Sequence, residues 1–175
     1  MAAPGGSSAT RDERAIRVRA ATARDLAAVV ELRVALLREH PAHPIYGRVR
    51  PDVMARAREL FDAQLRSTME RIFIAESGGE AVGVLRCVES MGSPLLEPPR
   101  YAYVSSAYVR PAFRRRGILR AMLGAADGWA LGRGLDQMRL HNVTGSEAAE
   151  GAWHSLGFGE VEQVRVRSLG VPPPR

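Results

Sequence analysis

The spacing of apolar residues divides the chain into short segments of two kinds. Runs that alternate apolar and polar residues, or that are rich in β-branched and aromatic residues, are typical of strands. They predict six strands, at residues 15–21, 71–76, 81–89, 101–109, 138–143 and 160–169. Apolar residues at intervals of three and four are typical of a helix with one buried face. They predict four helices, at residues 22–40, 52–66, 118–131 and 146–156.

Glycine and proline mark the boundaries between these segments. Gly78-Gly79 stands between two apolar runs, which indicates a hairpin. Two proline-rich stretches, residues 40–51 and 90–100, predict loops. The order of elements is βααβββαβαβ, without an internal repeat or a dividing linker. We therefore predict an α/β fold, a single domain over residues 15–169 in which helices flank a mixed β-sheet.

Composition narrows the class of protein only in part. With 46% hydrophobic and 25% charged residues among 175, the chain has the composition of an ordinary globular domain. The single cysteine, Cys87, excludes an intrachain disulfide and favours a reducing compartment. No apolar run approaches the ~20 residues of a membrane span, and the first residues lack the charged start and apolar core of a secretion signal. We expect a cytoplasmic protein without a membrane partner, with disordered tails at residues 1–14 and 170–175.

The charge of the chain favours an anionic partner. The net charge is +6, and all 25 basic residues are arginines. Arg114, Arg115 and Arg116 stand together just before Gly117 and the apolar run of the third helix. The first N–H groups of a helix lack an intrahelical partner and bind phosphate oxygens well. A nucleic-acid site would spread its basic residues along a face with exposed aromatics, so charge gathered in one turn favours the phosphates of a small cofactor.

Two segments resemble the motifs of a known family. Arg114, Gly117 and Leu119 occupy the fixed positions of the pattern Arg/Gln-x-x-Gly-x-Gly/Ala. This pattern is the acetyl-CoA-binding motif of the GNAT superfamily of N-acetyltransferases. The predicted order of elements is also similar to that family's fold from about residue 15 to 169. A later segment resembles the family's second pattern, through Leu140, Ala149, Trp153 and Gly157-Phe158.

The resemblance implies a reaction and a cosubstrate. Members of the family transfer the acetyl group of acetyl-CoA to a primary amine, which attacks the thioester directly and without a covalent enzyme intermediate. In the family, the strand before the motif splays from its neighbour, and its free backbone groups hold the pantetheine arm and polarise the thioester carbonyl. No metal site is expected. The residues expected to bind acetyl-CoA are Ala107, Tyr108, Val109, Arg114, Arg115, Arg116, Gly117, Ile118, Leu119, Arg120 and Ser146.

Three positions depart from the family's pattern. Leu119 replaces a small residue, so the phosphate loop is bulkier there. Ser146 stands where many members have asparagine. Trp153 stands where many members have the tyrosine that protonates the departing thiolate, and an indole N–H has no accessible acidity. Because a thiolate is a tolerable leaving group near neutral pH, this change need not abolish activity.

No motif marks the general base. Tyr103 lies nearest the position at which some members have a glutamate. Glu89 ends the neighbouring strand, and His43 lies in the loop that lines the acceptor pocket in this fold. Each candidate also fits a structural role: packing for Tyr103, a solvated strand end for Glu89 and a surface loop for His43. The sequence leaves these alternatives open.

The acceptor is predicted only as a class, the primary amine of a small molecule or a peptide. Arg48, Arg50 and Arg100 favour an acceptor that also bears a carboxylate or phosphate. A polycationic acceptor such as an aminoglycoside would require an acidic pocket, and the loops offer little beyond Glu97 and Glu89. Two other functions stay open, a non-catalytic acyl-CoA-binding module and, less favoured, a basic nucleic-acid-binding protein. A homodimer is expected by analogy with the fold alone.

Overall fold

The computed structural model describes residues 15–143, 145 and 147–167, which form one five-stranded sheet and four helices. None of these helices is long and apolar enough to cross a membrane. The strands are β1 (Ile16–Ala20), β2 (Glu70–Ser77), β3 (Glu80–Met91), β4 (Arg100–Val109) and β5 (Met138–Leu140). The helices are α1 (Leu26–Arg38), α2 (Val53–Arg66), α3 (Ile118–Leu131) and α4 (Glu147–Ser155).

The strands lie in the order of the chain, from β1 to β5. The first four pair antiparallel, whereas β4 and β5 pair parallel. A parallel pair requires a crossover, which α3 supplies. The parallel pairing is short, because only residues 102–104 of β4 lie beside Met138–Leu140. Beyond Val104, β4 has no strand on this side within the described residues, and the sheet opens there.

Helices cover both faces of the sheet. On one face, Met122 and Ala126 of α3 form an apolar cluster with Val104 of β4. On the other face, Val30 of α1 and Phe61 of α2 belong to a second cluster. The two clusters bury the sheet from opposite sides, as an α/β domain requires. As a result, α1 and α3 reach the opening between β4 and β5 from opposite faces.

A β-bulge interrupts β4 beside the opening. Val84 of β3 lies opposite Tyr108, whereas Arg86 lies opposite Ser105, so β4 has one extra residue over this interval. Ser106 has a φ of 58°, in the left-handed region that residues with a side chain rarely adopt. Because side chains alternate along a strand, the extra residue moves the later side chains to the opposite faces. Tyr108 consequently packs with the cluster of α1 and α2.

The sixth predicted strand, at residues 160–169, is wrong for the part that the structure describes. Residues 160–167 have no regular secondary structure, and the valines of this segment are exposed. A strand needs a partner for its backbone groups, and the outermost strand of the sheet, β5, is only three residues long. The remaining order of elements is confirmed. Both predicted tails lie outside the described residues.

Candidate active site

A cavity of about 950 Å³ opens where β4 separates from β5. Residues 103–109 of β4 form one wall, and the end of α1, the start of α3 and part of α4 complete it. Because β4 has no partner on this side beyond Val104, some of its backbone N–H and C=O groups are left for a ligand. The three residues predicted to hold the pantetheine arm all line the cavity: Ala107, Tyr108 and Val109.

The N-terminus of α3 opens into the same cavity. Gly117 is its N-cap residue, and its φ of 76° lies in the left-handed region that glycine adopts without strain. The first bond of the helix joins the Ala121 N–H to the Gly117 carbonyl at 2.9 Å. The N–H groups of Ile118, Leu119 and Arg120 therefore donate no backbone hydrogen bond. Unbonded donors with the partial positive charge of a helix start suit phosphate oxygens.

Arg114, at the first position of the motif, makes its hydrogen bonds and its ion pair within the protein. Its Nε donates to the Val109 carbonyl at 2.9 Å, and its guanidinium pairs with the Glu39 carboxylate. The guanidinium carbon also lies 5.6 Å from the centre of the Tyr108 ring. Arg114 thus joins the end of β4 to the residue that follows α1, and its charge is neutralised.

The neighbouring arginines are free of carboxylates within the described residues. Arg115 lines the cavity and has a φ of 60°, whereas Arg116 stands 5.2 Å from the centre of the Phe113 ring and outside the cavity wall. Arg120 lines the cavity and donates to the Ser155 carbonyl at 3.3 Å. These three guanidiniums place unneutralised positive charge around the start of α3.

Tyr103 lines the cavity and bonds to a histidine that the sequence analysis did not single out. Its hydroxyl lies 2.9 Å from Nδ1 of His141, and the two rings meet edge to face. Burial raises the pKa of the Tyr103 phenol. His141 also lines the cavity, just past the end of β5. The parallel pairing of β5 with β4 was the signal available. Tyr103 lies opposite Arg139, and His141, two residues further along the chain, falls on the same face.

Glu89 is not among the described residues that line the cavity. Its carboxylate is 4% exposed and lies 2.5 Å from both Arg100 and Arg133. Hydrogen bonds from Arg133 and Arg100 lower the pKa of this carboxyl. A carboxylate held between two guanidiniums is a weak proton acceptor, and its geometry is that of a structural ion cluster.

His43 also lies behind the cavity wall and not on it. Its Nδ1 accepts the backbone N–H groups of Ile45 and Tyr46 at 3.2 and 3.1 Å. Its ring stacks on that of Tyr46 at a centroid distance of 4.7 Å. Tyr46, in contrast, does line the cavity. The structure therefore places His43 as a support for Tyr46.

Arg33 of α1 is a second cavity residue that the sequence analysis did not identify. It is partly buried, lines the cavity and has no ion pair or hydrogen bond with any residue that the structure describes. No sequence signal set it apart, because an arginine on an amphipathic helix usually faces solvent. The loop arginines that favoured an anionic acceptor do not line the cavity: Arg48, Arg50 and Arg100.

Three further residues of the sequence analysis have different surroundings: Trp153, Cys87 and Ser146. Trp153 lines the cavity and packs edge to face on Phe158, with ring centroids 5.6 Å apart. Cys87 is fully buried, and burial raises the pKa of its thiol to about 12, so it stays protonated and unreactive at neutral pH. Ser146, predicted to contact acetyl-CoA, lies outside the described residues. Among the described residues, no cluster of three or more His, Cys, Asp or Glu side chains could hold a metal ion.

Comparison of the sequence with known proteins identifies a family that it matches and one related enzyme. Residues 26–158 match the Acetyltransferase (GNAT) family. An aminoglycoside N(6')-acetyltransferase type 1 from Klebsiella aerogenes is 38% identical over 64 residues, which are 37% of this chain and 42% of that protein. This chain therefore matches less than half of the length of that relative.

Solved structures share the fold over nearly the whole of their length. A predicted acetyltransferase from Clostridium acetobutylicum, solved with acetyl-CoA, has a TM-score of 0.72 and 18% identity, over 87% of this chain and 96% of that one. The aminoglycoside acetyltransferase AAC(6')-Iy, solved with a bisubstrate analog, has a TM-score of 0.69 and 21% identity, over 90% and 99%. These likenesses confirm the predicted fold class.

The family match extends from the first residue of α1 to just beyond α4 and so covers most of the chain. It includes β4, the start of α3 and every element that lines the cavity. The fold agrees with that of solved acetyltransferases. The chain therefore belongs to the GNAT family of acetyltransferases, as its two motifs predicted.

Proposed function

We propose that this protein is an N-acetyltransferase that transfers the acetyl group of acetyl-CoA to a primary amine within a ternary complex. One observation carries the proposal: the open edge of β4 and the N-terminus of α3 meet in one cavity. An open strand edge suits the amide groups of the pantetheine arm. The unbonded N–H groups at the start of a helix suit the pyrophosphate of the same ligand.

The residues around Gly117 fit a pyrophosphate. A Cβ built on Gly117 would meet no atom within 4 Å, so open space lies in front of the loop. A phosphate can therefore approach the backbone closely. In this proposal Arg115 and Arg120 supply charge-assisted hydrogen bonds, Arg116 adds positive charge beside the cavity, and Arg114 holds the loop in shape.

The gap between β4 and β5 brings the two reactants together. Acetyl-CoA supplies an activated acetyl group and a thiolate leaving group. A backbone N–H on the open edge of β4, within residues 107–109, would polarise the thioester carbonyl and stabilise the negative charge that develops on its oxygen. Holding the amine beside this carbonyl contributes through proximity and orientation.

We assign the proton of the attacking amine to Tyr103 and His141. Their polar atoms are 2.9 Å apart, and both residues line the cavity. The raised pKa of Tyr103 keeps its phenol protonated at neutral pH, so it can relay a proton only by exchange with the imidazole. An imidazole is the side chain best suited to accept a proton at neutral pH. Trp153 cannot act as an acid, so the thiolate leaves as an anion, which a thiolate tolerates near neutral pH.

Two of the relatives are aminoglycoside acetyltransferases, and aminoglycosides carry several amines. The cavity of this chain is poorly matched to such polycations. Glu39 is the one carboxylate residue among the described residues that line it, and that carboxylate is paired with Arg114. We therefore propose an acceptor with a single amine, on a small molecule or a peptide, and not a polycation.

Thermal unfolding with acetyl-CoA tests the proposed site. At ~100 times its dissociation constant a ligand adds about 2.7 kcal/mol, which corresponds to about 5–10 °C for a domain of this size. We expect Gly117→Glu to remove this shift, because the new carboxylate occupies the phosphate position. Gly117→Asn is the matched control, since asparagine tolerates the left-handed conformation without adding charge. Absence of any shift in the unaltered protein would overturn the proposal.

A cytoplasmic location and a homodimer stay predictions. The reducing compartment is supported by the single, fully buried cysteine. The homodimer is supported only by analogy with the fold.

A further inference from the structure

Arg33 lines the cavity but has no part in the proposed reaction. It belongs to α1, which packs against β3 and β4. Its guanidinium makes no hydrogen bond or ion pair with the residues that the structure describes. Burial lowers the pKa of this guanidinium, although an arginine remains charged at neutral pH. A partly buried charge without a counter-ion is costly, and a ligand of opposite charge would remove that cost.

The charged groups near Arg33 already have partners. Arg86, whose positive charge also lowers the pKa of Arg33, is paired with the Glu70 carboxylate. Glu39, one turn and a half further along the chain, is paired with Arg114. In each pair the positive charge of the arginine and the negative charge of the glutamate cancel. Arg33 therefore leaves one net positive charge on this wall of the cavity.

This charge lies on the side of the sheet opposite α3. Before the bulge, the side chains of Tyr103 and Ser105 alternate with Val104, which packs in the cluster of α3. They consequently project on the face that α1 and α2 cover, where Ser105 accepts a hydrogen bond from Arg86 at 3.0 Å. The unbonded N–H groups proposed for the phosphates belong to α3. The face with Arg33 is thus the one from which an amine would approach the thioester.

We propose that the acceptor is a primary amine that also carries a carboxylate, and that Arg33 binds this carboxylate. This inference rests on the proposed acetyltransferase function. A guanidinium presents two parallel N–H donors that match the two oxygens of a carboxylate. A single unpaired charge matches a monoanion better than a phosphate dianion. The occupant is therefore an amino carboxylic acid, and a polycationic amine is repelled.

The substrate arm of the test uses matched amines. Glycine, β-alanine, 4-aminobutyrate and 6-aminohexanoate are each compared with their carboxamides, and neamine and O-phosphoethanolamine are added. CoA release with acetyl-CoA gives kcat and KM for each. We expect at least one amino carboxylic acid to exceed its carboxamide about 100-fold in kcat/KM, mainly through KM, as expected for a lost hydrogen-bonded charge pair.

The variant arm uses Arg33→Met, which keeps the length of the side chain and removes the charge. We expect its KM for the amino carboxylic acid to rise about 100-fold, with KM for acetyl-CoA and for the carboxamide unchanged. Arg33→Lys should recover part of the loss, because a lysine keeps the charge without the planar fork. Arg58→Met, on the exposed face of α2, is the control and should change none of these constants.

The outcomes separate the two proposals. If acetyl-CoA gives no thermal shift, the proposed function fails. If the shift is present but carboxamides are acetylated as well as the amino carboxylic acids, only the role of Arg33 fails. Equal acetylation of neamine would overturn that role and the single-amine acceptor, but not acetyl transfer. Preference for O-phosphoethanolamine, or an Arg33→Met effect on kcat instead of KM, also overturns that role. A thermal shift without turnover of any amine would overturn acetyl transfer and the carboxylate site together, and would leave an acetyl-CoA-binding protein.

Discussion

Arginines lie around both ends of strand β4, and these two groups of arginines differ in whether a carboxylate pairs with them. At its start, Arg100 and Arg133 each lie 2.5 Å from Glu89, whose carboxylate is 4% exposed. At its other end, Arg115 and Arg116 face no carboxylate in the described part of the chain, and the unbonded N–H groups of α3 stand beside them. The residue type is the same at both ends, so the presence of a carboxylate decides what the charge can do.

The first group is structural, because one buried carboxylate joins the end of β3, the start of β4 and the segment that follows α3. The second group is available to a ligand, because its charges have no such partner. A high count of arginines therefore does not locate a binding site. In our proposal the unpaired charge beside the start of α3 marks it, and each of the following changes tests one side of this difference.

The largest expected effect is the loss of stability on replacing Glu89 with alanine. The change leaves Arg100 and Arg133 without their shared partner, but these side chains are 46% and 31% exposed and keep part of their hydration. We therefore expect a loss of about 2 kcal/mol, less than for a fully buried pair, or about 5 °C in Tm. Urea denaturation measures it, and KM for acetyl-CoA should stay the same. A loss below ~0.5 kcal/mol would remove the structural role of the cluster.

A smaller effect is expected when both Arg115 and Arg116 are replaced by glutamine. This effect is on the affinity for acetyl-CoA and not on stability. Stability should stay within ~0.5 kcal/mol, because no ion pair is broken. The Kd for acetyl-CoA should rise about 10-fold, or ~1.4 kcal/mol, and should depend less steeply on salt. The control replaces Arg24 and Arg58, which are exposed and do not line the cavity. Equal affinities of variant and control would show that these charges do not bind phosphate.

The smallest expected effect is a dependence of stability on pH that arises from the ion pairs of Glu89 with Arg100 and Arg133. The lowered pKa of Glu89 means that its ion pairs stabilise the fold fully above the ordinary glutamate pKa of ~4.3. This contribution is lost as pH falls through the lowered pKa of the folded state. The difference in urea midpoint between the unaltered protein and Glu89→Gln should therefore be constant from pH 7 to about 5 and shrink below pH 4. A difference that grows on acidification would contradict the sign of the shift.

The sequence predicts those parts of the molecule whose signals are local. The basic turn, Gly117 and the apolar face of α3 follow one another within a few residues, and the structure contains them as predicted. The alternation in β1 to β4 is equally local. Alternation at residues 160–167 is present too, but a strand also requires a neighbour, and the spacing of side chains gives no information about one.

Two side-chain groups could not be predicted because their contacts join residues far apart in the sequence: the Tyr103–His141 pair at the cavity and the ion cluster of Glu89 away from it. Tyr103 and His141 are 38 positions apart, and Glu89 is 44 positions from Arg133. From the sequence Glu89 is a candidate base. The structure shows two arginine partners that give it a structural role. Arg33 is the reverse case, because only the folded structure shows that it has no hydrogen-bond or ion-pair partner among the described residues.

The bulge at Ser106 is a change of one residue with a consequence for the evolution of the cavity. Deleting that residue would restore even pairing between β3 and β4. The side chains of Tyr108 and Val109 would keep their faces, because Tyr108 already lies opposite Val84 and Val109 opposite Gly83. Only the irregular backbone at Ser106 would be lost. A single inserted codon therefore separates the bulged strand that lines the cavity from a regular sheet strand. An ancestor could have crossed that step without altering any helix of the domain.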